Sequence, residues 1–122
     1  MILCVTAKGP TLNSLFEPHF ARAPYFIFFD TRTRKSEAIR NGFIVHDAKI
    51  GQNAVRLLIT RETKTLVTGS VGDNAERLLR GAEIDLCHYD TVGTISEALS
   101  AIVPKIPGKS RKSRAQKEVP QR

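Results

Sequence analysis

The sequence predicts an α/β domain built on a five-stranded mixed sheet, strand order 3-2-1-4-5 with strand 2 antiparallel, and helices on both faces. Two observations carry this reading. The runs ILCVTA and YFIFFD are apolar without polar alternation, as expected of strands covered on both sides. After them, segments with helical spacing alternate with short strands, giving the order β-β-β-α-β-α-β-α.

The elements follow one another as the patterns dictate. ILCVTA and YFIFFD are the first two strands, separated by a long loop. The turn DTRTRK leads into SEAIRN, whose mixed polarity suits an edge strand. In IGQNAVRLLIT, Ile50, Ala54, Leu57 and Leu58 form a helical stripe. TLVTG is a short strand. GDNAERLLRG is the next helix, with Ala75, Leu78 and Leu79 expected on its apolar face, Asp73 and Asn74 as caps and Gly81 as its stop. IDLCHY is the last strand. Thr94 and Glu97 have capping-box spacing ahead of a helix faced by Ile95, Ala98, Leu99 and Ile102, and Pro104 is expected to end it.

Charge divides the chain into two parts. The net charge is +7, yet residues 105–122 alone hold seven basic residues and one acidic, so residues 1–104 are close to neutral. The run KIPGKSRKSRAQKEVPQR has almost nothing to bury, and is expected to be a disordered basic tail on a domain spanning 1–104. Such a tail is either an arm for nucleic acid or an acidic partner, or a solubilising extension. Met1 leads into ILCV with no basic stretch before it, and no apolar run reaches the ~20 residues of a membrane span. A cytoplasmic location is the expectation.

In the predicted order, strands 1, 4 and 5 run parallel, so a ligand crevice is expected beyond their carboxyl ends. Loops 8–14, 69–74 and 90–94 converge there, as does the unusual segment 15–24, LFEPHFARAP. His19 sits in that segment between Pro18 and Phe20, and a neutral imidazole in apolar surroundings could ligate a soft or borderline metal or serve structurally. His46 falls in a linker, and His88 alternates with Cys87 in the last strand; both have weaker cases as ligands. The turn TGSVGDNA offers backbone N–H groups and a helix N-terminus to an anion, or is simply a tight strand–helix turn. Cys4 and Cys87 lie in strands one strand apart, about 10 Å, which is too far for a disulfide. Catalysis finds little support. No GxSxG or HExxH is present, and a metal-dependent nuclease on such a sheet would need clustered carboxylates, one of them on the first strand, where ILCVTA has none.

The motifs combine into a resemblance. PHFARAPYF, GQNAVRLL, LVTGSVGDNAERLL and HYDTVGTISEAL, in this order across residues 1–103, resemble the dinitrogenase iron–molybdenum cofactor biosynthesis family. That family includes NifX-type and NafY-type accessory proteins, the C-terminal domain of NifB, and stand-alone members such as the orange protein of sulfate reducers, which holds a molybdenum–copper sulfide cluster non-covalently. The resemblance implies a ribonuclease H-like fold without nuclease activity, and non-catalytic binding or carriage of an anionic metal–sulfur cluster containing molybdenum with iron or copper. It makes His19 the candidate metal ligand, with Lys8 and Arg22 offsetting cluster charge and Gly69, Ser70, Gly72 and Asn74 supplying donors. It also implies cluster-donor or cluster-acceptor proteins as partners. Ala21 stands where the family's HFGR motif has glycine. The alternative is a nucleic-acid or acidic-partner module acting through the tail.

Overall fold

The computed structural model describes residues 1–42 and 50–105. His46 and the basic run beyond Lys105 lie outside the described residues. The elements are β1 (Ile2–Ala7), β2 (Tyr25–Asp30), β3 (Ser36–Arg40), α1 (Ile50–Thr60), β4 (Thr63–Thr68), α2 (Asp73–Gly81), β5 (Asp85–His88) and α3 (Ile95–Ile102), followed by a 3-10 turn over Val103–Lys105.

The sheet order is β3-β2-β1-β4-β5, as the sequence predicts. β1 and β2 pair antiparallel, Cys4 opposite Phe28, and β2 pairs antiparallel with the edge strand β3. β4 runs parallel to β1 on one side and to β5 on the other. The unbroken apolar runs of β1 and β2 have their reason here, because side chains of both parities are buried. Cys4, Phe26, Phe28 and Leu66 pack with Ala54, Val55 and Leu58 of α1 and Ala75 and Leu79 of α2. Leu3, Val5, Ile27, Phe29 and Val67 face the other way, onto Ile95, Leu99 and Ile102 of α3.

Helix ends differ from expectation in three places. Gly72, not Asp73 or Asn74, occupies the N-cap of α2, and no side chain caps it. At the other end Gly81 is still helical; the left-handed residue is Glu83 at φ 61°. There the Glu83 N–H donates to Arg80 and the Ile84 N–H to Leu79, which satisfies the last carbonyls in the Schellman pattern. Pro104 falls within the 3-10 turn that extends α3, rather than terminating it directly. The capping box of α3 forms as read: the Glu97 N–H donates to Thr94 Oγ1 at 3.2 Å, and the Thr94 N–H to Glu97 Oε1 at 2.8 Å.

One facial assignment also changes. Leu79 is 1% exposed, but Leu78 is 40% exposed, because α2 meets the sheet along the Ala75–Leu79 line. Leu79→Ala should therefore cost about 2–5 kcal/mol of unfolding free energy in urea, whereas Leu78→Ala should cost less than about 1 kcal/mol.

Candidate metal-cluster site

The segment between β1 and β2 doubles back over the carboxyl edge of the sheet, held at both ends by an aromatic side chain. Phe16 enters the α3-side core and meets Tyr89 edge-on, ring centroids 5.0 Å apart. Phe20 enters the α1/α2-side core at 1% exposure and tilts against Phe26 at 5.8 Å. Glu17, Pro18 and His19 are thereby stretched along the rim between the two cores.

Backbone bonds set their positions. Pro18 has no N–H, but its carbonyl accepts from two donors of the glycine turn, Gly69 N–H at 3.0 Å and Ser70 N–H at 2.7 Å. The Phe20 N–H returns to the Ser70 carbonyl at 3.1 Å, and His19 forms a parallel bridge with Ser70. Two buried threonines at the ends of β1 and β4 support this from below. Thr6 Oγ1 donates to the Glu17 carbonyl at 2.5 Å, so its own hydrogen is used, and the Thr68 hydroxyl 2.9 Å away donates to Thr6. Neither threonine stood out in the sequence; polar residues closing otherwise apolar strands are the signal that would have found them.

The result is an oriented histidine. Glu17 Oε2 takes both the His19 backbone N–H at 3.0 Å and His19 Nδ1 at 2.9 Å. A carboxylate accepts, so Nδ1 carries a proton, and in the neutral form of the ring Nε2 keeps its lone pair. The His19 side chain is 66% exposed, while that of Glu17 is only 15% exposed. This carboxylate–histidine arrangement is the one that orients metal-binding imidazoles. His88 meets the same glycine turn from β5. At the end of β5, in register with Thr68, it directs Nδ1 at the Gly69 carbonyl, 3.1 Å away.

The other residues singled out by sequence are placed less uniformly. The Gly69 and Ser70 N–H groups are committed to Pro18, so the donors left to an anion are those of Val71, Gly72 and the first turn of α2. The Asn74 side chain accepts from Arg77 at 3.2 Å, which brings a cation to the start of α2 that sequence reading passed over. Asp73 and Glu76 in that first turn oppose it. Arg22 is exposed on the outgoing limb of the segment, in no ion pair among the described residues. Lys8 lies on the far side of Pro18, lining a cleft of about 230 Å³ with Leu15, Phe16 and the 90–93 loop. A second cleft of about 580 Å³ is at the opposite end of the sheet, where Arg61 pairs with Glu37.

Thiolates do not contribute. Cys4 is fully buried, and burial pushes its thiol well above the usual range. Cys87 is half-buried on the α3 side; burial raises its pKa, with Lys105 opposing. Among the described residues, no three of His, Cys, Asp and Glu gather as a metal-binding group.

The dinitrogenase iron–molybdenum cofactor family model matches residues 1–105. The chain belongs to that family. The apo form of the orange protein from Desulfovibrio gigas superposes with TM-score 0.81 at 30% identity, covering 85% of this chain and 88% of that one. A putative NifB protein from Thermotoga gives TM-score 0.74 at 29% identity over 84% and 87% of the two chains. No curated protein matches. Among the described residues, no helix is long and apolar enough to cross a membrane.

Two outcomes follow from the site's construction. A Cβ at Gly69 would fall 2.7 Å from the Pro18 carbonyl oxygen and 2.8 Å from Pro18 Cβ, so Gly69→Ala should cost about 1–3 kcal/mol in urea unfolding and shift the amide resonances of His19 and Phe20. With a thiol reagent at pH 8, Cys87 should react slowly, and Cys4 only when the protein unfolds.

Proposed function

We propose that this chain binds and carries an anionic metal–sulfur cluster, performing no reaction of its own, and passes it between donor and acceptor proteins in the cytoplasm. The observation that carries the reading is His19: an exposed imidazole whose Nδ1 is held by Glu17 and whose Nε2 is open, seated on the glycine turn of a family associated with the iron–molybdenum cofactor. The free N–H groups from Val71 to the first turn of α2 suit the sulfides of an anionic cargo. Arg22 and Arg77 supply cations on this side of Pro18, Lys8 a further one across it, and residues 1–104 form the carrying domain.

The cargo fits this donor set on chemical grounds. One or two imidazoles cannot close a tetrahedral site, but they can complete the coordination of a metal already bound by sulfide. Membership of the iron–molybdenum cofactor family supports molybdenum with iron as metals to test first, and copper suits the same sulfide and imidazole donors.

The test is anaerobic loading with tetrathiomolybdate, with and without copper or iron, followed by desalting and measurement of absorption and bound metal. Wild type should retain colour and metal. His19→Ala should retain far less, and Glu17→Ala should lower affinity about 10- to 100-fold by freeing the ring. If wild type retains nothing under any metal combination, the carrier reading is wrong.

A further inference from the structure

We propose that His88 is a second nitrogen ligand of the same site, so that His19 and His88 together grip a late transition metal at the edge of the cargo; this rests on the carrier reading above. The proposal comes from the surroundings of one turn. β4 ends at Thr68, and Gly69 and Ser70 continue it past the sheet. On one side lies the segment docked on β1, whose His19 bridges Ser70. On the other side lies β5, whose His88 ring bonds to the Gly69 carbonyl at 3.1 Å. The His19 backbone and the His88 ring thus meet the same two-residue turn from its two sides, opposite Ser70 and Thr68, two residues apart on one extended stretch of chain.

Their protonation follows from their partners. A carbonyl oxygen only accepts, so His88 Nδ1 must be the protonated nitrogen, as His19 Nδ1 must be against the Glu17 carboxylate. In the neutral form of each ring Nε2 is left with its lone pair. Both side chains are exposed, and no other hydrogen bond to either ring occurs among the described residues. A ring used only as a structural prop would gain nothing from being exposed with the same nitrogen left open. A metal-binding ring needs that arrangement.

The pair also selects the cargo. Imidazole suits copper, iron, zinc and nickel, whereas a tetrathiomolybdate ion already has four sulfides on molybdenum and has no place for nitrogen. The histidines should therefore recognise the heterometallic species and ignore the simple thiomolybdate, which only the N–H groups and cations can hold.

The experiment compares wild type, His19→Ala, His88→Ala and His88→Asn, each titrated anaerobically with tetrathiomolybdate alone and with tetrathiomolybdate plus copper(I). Urea midpoints check the fold. His88→Asn retains an N–H donor for the Gly69 carbonyl but lacks the imidazole nitrogen that would meet a metal. With copper present, both His88 variants should bind about 10- to 100-fold more weakly, as His19→Ala does, and thiomolybdate alone should be indifferent to His88. Binding by His88→Asn equal to wild type would reduce His88 to a support for Gly69 and overturn the proposal. If only His19→Ala weakens binding, the carrier reading survives and the second ligand does not. If wild type binds neither probe, both readings fall together.

Discussion

The functional end of this fold depends on one carbonyl. Pro18 presents its oxygen to two successive N–H groups, Gly69 and Ser70, and so joins the β1–β2 connection to the end of β4 across 51 residues of sequence. Proline suits the place because it has no N–H of its own to satisfy, and its fixed φ limits the entropy lost in holding an extended segment at a rim. Glycine suits the other side because any Cβ at position 69 would strike Pro18. Without this contact the 16–20 segment would lose the bond that sets its register against the glycine turn, and with it the place of His19 beside Ser70.

Packing explains why the contact persists at an exposed edge. Phe16 and Phe20, four residues apart, are buried on opposite faces of the sheet, so the segment is tied into two separate cores. Burying a large side chain of this kind is worth about 1.5–3 kcal/mol. Together these anchors exceed what any rim hydrogen bond contributes, since a net intramolecular hydrogen bond is worth about 0.5–1.5 kcal/mol. The hydrogen bonds choose the register of the segment, and the aromatics keep it there. The aromatic richness around His19 is therefore mostly anchoring: the apolar rings are buried inside, and the imidazole alone points outward.

The sheet was legible because its signal is distributed. Apolar runs without alternation in β1 and β2, edge polarity in β3, and strand–helix alternation afterwards leave few topologies that bury everything. The α3 capping box was legible for the opposite reason, being local and reciprocal. Failures cluster where one residue of helical phase or one non-local bond decides. Leu78 and Leu79 differ by about 100° around α2, and only the sheet's position shows that Leu79 is the buried one. The Gly69 and Ser70 N–H groups look like free anion donors in sequence; their acceptor, Pro18, is 51 and 52 residues away. His88 looks like a strand residue alternating with Cys87, and nothing local says that its ring turns toward Gly69.

The departure from HFGR can be understood on the same footing. Ala21 is half-buried against the α1/α2-side core, and its carbonyl accepts from Asn41 Nδ2 at 3.1 Å, with Ala23 accepting from the same group at 2.8 Å. The limb after Phe20 is thus held from β3's end rather than by close approach of a bare backbone. Its methyl group adds apolar contact on the inner side and leaves His19, two residues back and turned outward, with its Glu17 bond intact. In the carrier proposed above, an exposed imidazole that is oriented but not enclosed would give up a metal more readily than a closed four-ligand site, because solvent or a partner's donors can reach it. For a carrier, that openness is what permits transfer.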